Sequence, residues 1–251
     1  MNITWWGHST ATIEDRGVRL LTDPVLTGRL GHLRRRRGPA PGGAALRADA
    51  VLISHLHADH LHVPSLRRLP ETTVLLAPRG ARAFLEAVAP ELAPRCVELA
   101  AGEQVPMGGL TVRAVPAAHD GGRTPWSKHH ADTVGYVVSG DRTVWFAGDT
   151  DLFDGMAGLG ALDVALVPVG GWGPSLGPGH LDPRRAAEAV RRAAPAVAVP
   201  IHYGTLWPVG LERVRPGLFL GPEDDFVRYA AESAPGTEVR VLAPGEAITL
   251  D

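Results

Sequence analysis

The stretch His55-Leu56-His57-Ala58-Asp59-His60 decides how this chain is read, because it puts three imidazoles and a carboxylate within six positions. It follows directly on Val51-Leu52-Ile53, a short continuous apolar run of the kind that a strand buried on both faces shows. His55 and His57, two apart, can approach one ion together in extended or tight-loop geometry, while Asp59 and His60 on the next turn can point to a second. Neutral imidazole and carboxylate are the ligands preferred by zinc and other borderline divalent ions. A lone histidine would be read as core or surface, but this density after a buried strand points to metal.

Other histidines repeat the placement. His119 follows the apolar run Leu110 to Val115 and His202 follows Ala196 to Ile201, while Asp149 follows Thr143 to Ala147. Groups carried on loops at strand ends are held by a rigid sheet, so these positions are expected to converge on one site. Further strands are expected at Asn2 to Trp6, Thr10 to Glu14, Val18 to Thr22, Thr73 to Ala77, Thr133 to Val138 and Val164 to Val167, with a hairpin turn at Asp15-Arg16-Gly17. Helices are expected at Pro64 to Leu69, Arg79 to Val88, Pro183 to Ala194 and Asp224 to Ala234. Asp182 is the N-cap of the third, and Ala186, Ala187 and Val190 form its apolar face. Strands interspersed with helices predict an α/β or α+β layered fold.

The whole chain sets the outer bounds. Its 251 residues are 45% hydrophobic and 21% charged, ordinary for a globular protein and long enough to bury roughly three quarters of the unfolded surface. The single cysteine, Cys96, fits a reducing compartment. No apolar run approaches the roughly 20 residues of a membrane span and no basic-then-apolar leader opens the chain, so a cytoplasmic location is expected. A net charge of −2 argues against a nucleic-acid partner. The basic run Arg34-Arg35-Arg36-Arg37 is read as a solvated loop beside Gly31 and the Gly/Pro-rich segment from Gly38.

The six-residue stretch matches the HxHxDH motif at every position, and with it the chain resembles the metallo-β-lactamase fold superfamily. Three later segments continue the match: His119 after Val115-Pro116-Ala117-Ala118, Asp149 within Gly148-Asp149-Thr150, and His202 within Pro200-Ile201-His202-Tyr203-Gly204-Thr205. The resemblance implies an α/β four-layer αβ/βα sandwich, here one domain over residues 1–251. It also implies that His55, His57 and His119 hold one divalent ion, that Asp59, His60 and His202 hold another, and that Asp149 bridges them. Zinc is the first choice of metal, with manganese or iron as alternatives. Trp5-Trp6-Gly7-His8-Ser9-Thr10, Leu21-Thr22-Asp23-Pro24 and Gly179-His180-Leu181-Asp182-Pro183 look like the branch that contains L-ascorbate-6-phosphate lactonase and N-acylphosphatidylethanolamine phospholipase D.

By that resemblance His180 reaches the site from the side, so Asp59 and His180 are the candidate catalytic side chains, and His8 is expected to orient a ligand through a hydrogen bond. Trp126, Trp172, Trp207, His129 and His130 are candidates for the pocket wall, whereas His32 and His62 are assigned to the surface or local packing. The activity expected is metal-dependent hydrolysis of a small ester, lactone or phosphodiester. The alternatives are a nucleic-acid-processing enzyme, a phospholipid phosphodiesterase, or a metal-binding regulatory protein without turnover.

Overall fold

Val51 and Ile53 pack into one hydrophobic cluster and Ala50 and Leu52 into another, so a single short run serves two cores at once. That is the period-two consequence of an apolar strand covered on both faces. The computed structural model describes residues 1–250 except 125, 173–175 and 215–220. Its strands are β1 (Asn2–Gly7), β2 (Thr10–Asp15), β3 (Val18–Thr22), β4 (Arg29–Leu30), β5 (Leu33–Arg35), β6 (Ala50–Leu52), β7 (Val74–Pro78), β8 (Cys96–Leu99) and β9 (Gln104–Met107). They continue with β10 (Leu110–Pro116), β11 (Val134–Ser139), β12 (Thr143–Phe146), β13 (Val164–Pro168), β14 (Val197–Ile201), β15 (Leu206–Pro208), β16 (Glu238–Val239) and β17 (Ala247–Thr249). The helices are α1 (Val63–Leu66), α2 (Ala81–Val88), α3 (Pro183–Ala193), α4 (Leu211–Val214) and α5 (Pro222–Ser233).

Two seven-stranded mixed sheets face each other, one in the order β17-β1-β2-β3-β6-β7-β8 and the other β16-β14-β13-β12-β11-β10-β9. Ile3, Ile13, Leu20 and Leu76 from the first sheet meet Val112, Tyr136, Val144 and Leu166 from the second in one cluster. Phe84 and Leu85 of α2 cover the outer face of the first sheet over Leu21, Val51 and Leu75. Ala186, Val190, Phe226 and Ala230 of α3 and α5 join the core of the second sheet. This is the metallo-β-lactamase fold that the residues led us to expect. A buried polar contact joins the sheets across their core: Tyr136 Oη donates to the Ile53 carbonyl at 2.8 Å, with the Leu76 carbonyl at 3.2 Å.

Local chemistry accounts for the joints. Arg16 and Gly17 both take the left-handed conformation (φ 48° and 76°) between paired Asp15 and Val18, the two-residue hairpin turn whose twist matches the strands. Asp182 caps α3 by accepting from the Arg185 backbone N–H at 2.8 Å. Three expectations are corrected. The helix after Pro64 is only the single turn α1, and α5 begins two residues earlier than expected, at Pro222, behind the left-handed Gly221. The run Arg34–Arg37 is not a solvated loop: it begins in β5, where alternation buries Arg35, and Arg37 pairs with Glu223 at 2.8 Å.

Strand direction places the site. β3, β6, β7 and β8 run parallel, as do β12, β13, β14 and β16, while β1 and β10 are each separated from their group by an antiparallel neighbour and so point the same way. His8, His55, His119, Asp149 and His202 therefore all leave the carboxyl ends of their strands, where ligands bind in layered α/β sheets. Tyr136→Phe should lower unfolding stability by about 1–3 kcal/mol, because the buried Ile53 carbonyl loses its partner. Urea denaturation measures this, and metal content should not change.

Candidate metal centre

Three ring nitrogens meet in the first cluster: His57 Nδ1 lies 2.9 Å from His55 Nε2 and 3.1 Å from His119 Nε2. In the second, His60 Nε2 and His202 Nε2 are 3.2 Å apart, each 3.6 Å from Asp59 Oδ2. Asp149 stands between them. Its Oδ2 is 3.2 Å from His60 Nε2 and 3.3 Å from His202 Nε2, and it also groups with His119 and His180 within 4.8 Å. Its other oxygen, Oδ1, is buried without a partner. All seven residues of the expected ligand set thus converge.

The outer nitrogens show which ring atoms face inward. His119 Nδ1 donates to the Gly179 carbonyl at 2.7 Å and His202 Nδ1 to the Gly170 carbonyl at 2.8 Å, and a carbonyl can only accept. His60 Nδ1 donates to Asp23 Oδ2 at 2.6 Å. The Nε2 of His119 and of His202 is thereby left as a lone pair, and the Nε2 atoms of all three rings are turned towards other ring nitrogens and carboxylates. Such an arrangement suits a divalent cation, and the hydrogen bonds from the outer nitrogens are of the kind that fix metal-ligating histidines. The unpartnered Asp149 Oδ1, pointing to no protein donor, fits the same cation.

Electrostatics agrees. Burial holds His55 well below the ordinary imidazole range and brings His119 down to about 4, so both are neutral ligands. His60 is raised well above that range: burial opposes its charge, but Asp149, Asp59 and Asp23 outweigh it. Asp59 and Asp149 lie well below the usual carboxylate range; burial works against this, and His60 for the one and His202 and His60 for the other prevail.

Asp23, quoted in the sequence only as part of a segment, has a role that sequence reasoning did not assign. Fully buried, it accepts from Ser54 N at 2.8 Å and Ser54 Oγ at 2.5 Å as well as from His60. Ser54 Oγ is also 2.9 Å from His55 Nδ1, so one carboxylate braces a ring in each cluster. The His8-Ser9-Thr10 and Leu21-Thr22-Asp23-Pro24 segments were the available signal. Thr10 Oγ1 donates to the Asp23 carbonyl and Thr22 Oγ1 to the Ser9 carbonyl, which locks the two loops together.

His8 is a brace, as expected: its Nε2 donates to Asp59 Oδ2 at 2.9 Å, and its carbonyl accepts from His202 N and Trp5 Nε1. Burial, then His202, lowers its pKa to about 4. His8, Asp23 and His202 all have positive φ (54°, 29° and 62°), strain of the order of 1–3 kcal/mol each that concentrates at this site. Gly148 (φ 63°) precedes Asp149, and a Cβ there would lie 2.6 Å from Ser54 Cβ.

His180 Nε2 is 3.5 Å from Asp149 Oδ2, and the Gly179 carbonyl that fixes His119 sets the position of its loop. Burial lowers its basicity, but Asp149 more than compensates and raises its pKa. A cavity of about 740 Å³ opens beside these groups, with Trp172, His32 and His62 in its wall. Of the two expectations for His62 it is local packing that holds: it is buried, with Nδ1 2.7 Å from Ser65 Oγ, burial brings it to about 4, and it also lines the cavity. Trp126 is 92% exposed and Trp207 is buried in β15, so neither lines this cavity, and His129 packs on Phe84 while His130 is exposed. The loop holding them contributes Arg123 and Thr124 instead.

Comparison with known proteins agrees with this geometry. Residues 18–203 match the family described as beta-lactamase superfamily domain. The chain is 34% identical to a UPF0173 metal-dependent hydrolase of Methanopyrus kandleri, over 98% of each chain. It superposes on Igni18, a metallo hydrolase from Ignicoccus hospitalis, with a TM-score of 0.73, 25% identity, and coverage of 100% of this chain and 98% of that one. It also superposes on CmlA, a diiron β-hydroxylase from Streptomyces venezuelae, at TM-score 0.70 and 21% identity, covering 99% of this chain and 54% of that one, a likeness of fold alone.

Replacing Asp23 by Asn keeps the shape but turns an amide N–H₂ towards His60, which favours the tautomer with its proton on Nε2. Metal affinity at the His60–His202–Asp59 cluster should fall by about 10–100-fold, and less at the three-histidine cluster, which Asp23 reaches only through Ser54. Competition titration with a chelator reads the two affinities separately.

Proposed function

The chain belongs to the beta-lactamase superfamily, and from that premise we propose that this metal-dependent hydrolase is binuclear and cleaves a small ester, lactone or phosphodiester. The observation that carries the reading is Asp149, whose Oδ2 lies against His60 and His202 of one cluster while the residue also groups with His119 of the other, and whose Oδ1 is buried without a partner. His55, His57 and His119 would hold one ion, Asp59, His60 and His202 the other, with Asp149 shared. Divalent ions so held supply Lewis-acid polarisation and a water of lowered pKa. Zinc suits the imidazole-rich set best, and manganese or iron are accommodated by the same donors.

The chain's own side chains do the rest. Asp59 lines the cavity and is fixed by His8, so its carboxylate keeps one orientation while substrate enters. His180 also faces the cavity, and against the opposing effect of burial Asp149 at 3.5 Å raises its pKa, which suits it to protonate a leaving group or stabilise developing negative charge. No nucleophilic serine is needed. A nucleic-acid substrate finds little support, because Arg123 is the one cationic side chain among the described lining residues. Among the described residues no helix is long and apolar enough to cross a membrane. A cytoplasmic location accompanies the proposal, on the single buried Cys96, whose thiol burial pushes up to about 12. We treat residues 1–251 as one hydrolase domain.

The purified protein should carry two divalent ions per chain under metal-replete conditions, and Asp149→Ala should deplete both together. Elemental analysis checks this, and loss of one ion alone would remove the bridging role. His180→Ala should keep its metal and fold yet lower kcat by roughly 10²–10⁴-fold with KM much less changed, since an interaction made only as charge develops appears in turnover. Metal analysis and kinetics on one preparation separate a ligand (metal lost) from a bystander (turnover kept).

A further inference from the structure

We propose that the cavity selects uncharged carboxylic-acid derivatives, esters or lactones with an apolar acyl chain, over phosphate mono- and diesters. This deepens the hydrolase reading and rests on it. The first support is a third apolar cluster, separate from the two cores, made of Val25, Leu30, Leu33 and Leu206 with Ala58 and Trp172 packed against it. Leu30, Leu33, Ala58 and Trp172, together with Leu176, line the cavity. Ala58 sits between His57 and Asp59, so the apolar wall begins at the proposed ligands themselves.

The second support is where positive charge is put. The β4–β5 hairpin pairs Leu30 with Leu33 and Arg29 with Arg34. Its pleat buries the two leucines and leaves the two arginines exposed, outside the cavity lining. Arg35 is turned inward to structural work, donating to the carbonyls of Trp6 and Val25, and Arg37 pairs with Glu223. Arg123 reaches the lining, but its Nη1 donates to the Leu56 and Leu61 carbonyls and its guanidinium lies 4.8 Å over the Phe84 ring. A phosphate ester is recognised by charge-assisted, often bidentate donors. In an arginine-rich chain the described wall offers none that is uncommitted at its Nη1. What it offers instead is the His62 ring, whose Nδ1 is taken by Ser65 Oγ, a hydroxyl that in turn accepts from Leu26 N.

The reaction is ordinary hydrolysis: water adds to the acyl carbon, the C–O bond to the alcohol breaks, and acid and alcohol leave. The test uses the zinc-loaded full chain with p-nitrophenyl acetate, butanoate and hexanoate, p-nitrophenyl phosphate and bis(p-nitrophenyl) phosphate. Calorimetric binding of acetate, hexanoate and inorganic phosphate runs in parallel. Each buried methylene is worth about fourfold, so kcat/KM should rise more than tenfold from acetate to hexanoate ester, with both phosphate esters below the hexanoate. Hexanoate should bind more tightly than acetate. Leu33→Arg should flatten both trends, and Leu33→Ala serves if the arginine variant does not fold. Rates and binding that ignore chain length, or phosphate esters cleaved faster than the hexanoate ester, overturn the cavity assignment and leave the hydrolase reading standing. Failure to turn over any ester while hexanoate still binds more tightly than acetate overturns the hydrolase reading and leaves the cavity assignment standing.

Discussion

Ring nitrogens turned towards one another repel unless positive charge lies among them, and this protein gathers five of them within a few ångströms of two carboxylates. The arrangement holds because four of the rings are fixed from behind: His119 and His202 by backbone carbonyls, His60 by Asp23, His55 by Ser54. Those outer bonds choose the tautomer, and the tautomer decides that the site presents lone pairs rather than protons. A buried set of this kind is compensated only by positive charge. The raised pKa of His60 and the lowered pKa values of Asp59 and Asp149 express the same demand.

The braces are shared, and the sharing couples the two sheets. Asp23 reaches Ser54 and His60 across the first sheet, while His8 ties Asp59 to the His202 loop of the second through its ring and its carbonyl. Thr150 does the same within the second sheet: its hydroxyl accepts from Ala118 N, beside His119, in the loop that carries Asp149. Left-handed conformations at His8, Asp23 and His202 are costly for non-glycine residues, and they are tolerated because these bonds over-determine the loops. The strain lies where the chemistry is.

The surroundings divide the labour. Inside the centre charge is dense and paired; a few ångströms away the wall becomes leucine and tryptophan, with arginines turned outward or into backbone carbonyls. The fold itself is neutral on chemistry, since similar scaffolds belong to a metallo hydrolase and a diiron hydroxylase. The donor set and the wall are what distinguish one member from another.

The six residues from His55, the strand ahead of them and the histidines at later strand ends were legible in the sequence, because metal-ligand chemistry restricts residue type and a buried strand restricts pattern. Short apolar runs likewise announced β3, β10 and β11, and Asp182 announced the start of α3. The short strands β4, β5, β15, β16 and β17 were not legible: two or three residues carry no periodicity, and it is their pairing partners that make them strands. Asp23 could not be recognised as the brace of His60, nor His62 as a wall residue, because nothing local relates them to their partners. Arg35 and Arg37 looked like solvated charge until β5 and the approach of Glu223 gave them neighbours. Sequence determined which atoms can bind a metal and on which strand ends they sit; tertiary structure alone decided which nitrogens face inward, which charges are turned away from the cavity and what kind of wall the substrate meets, because those depend on contacts between loops from two different sheets.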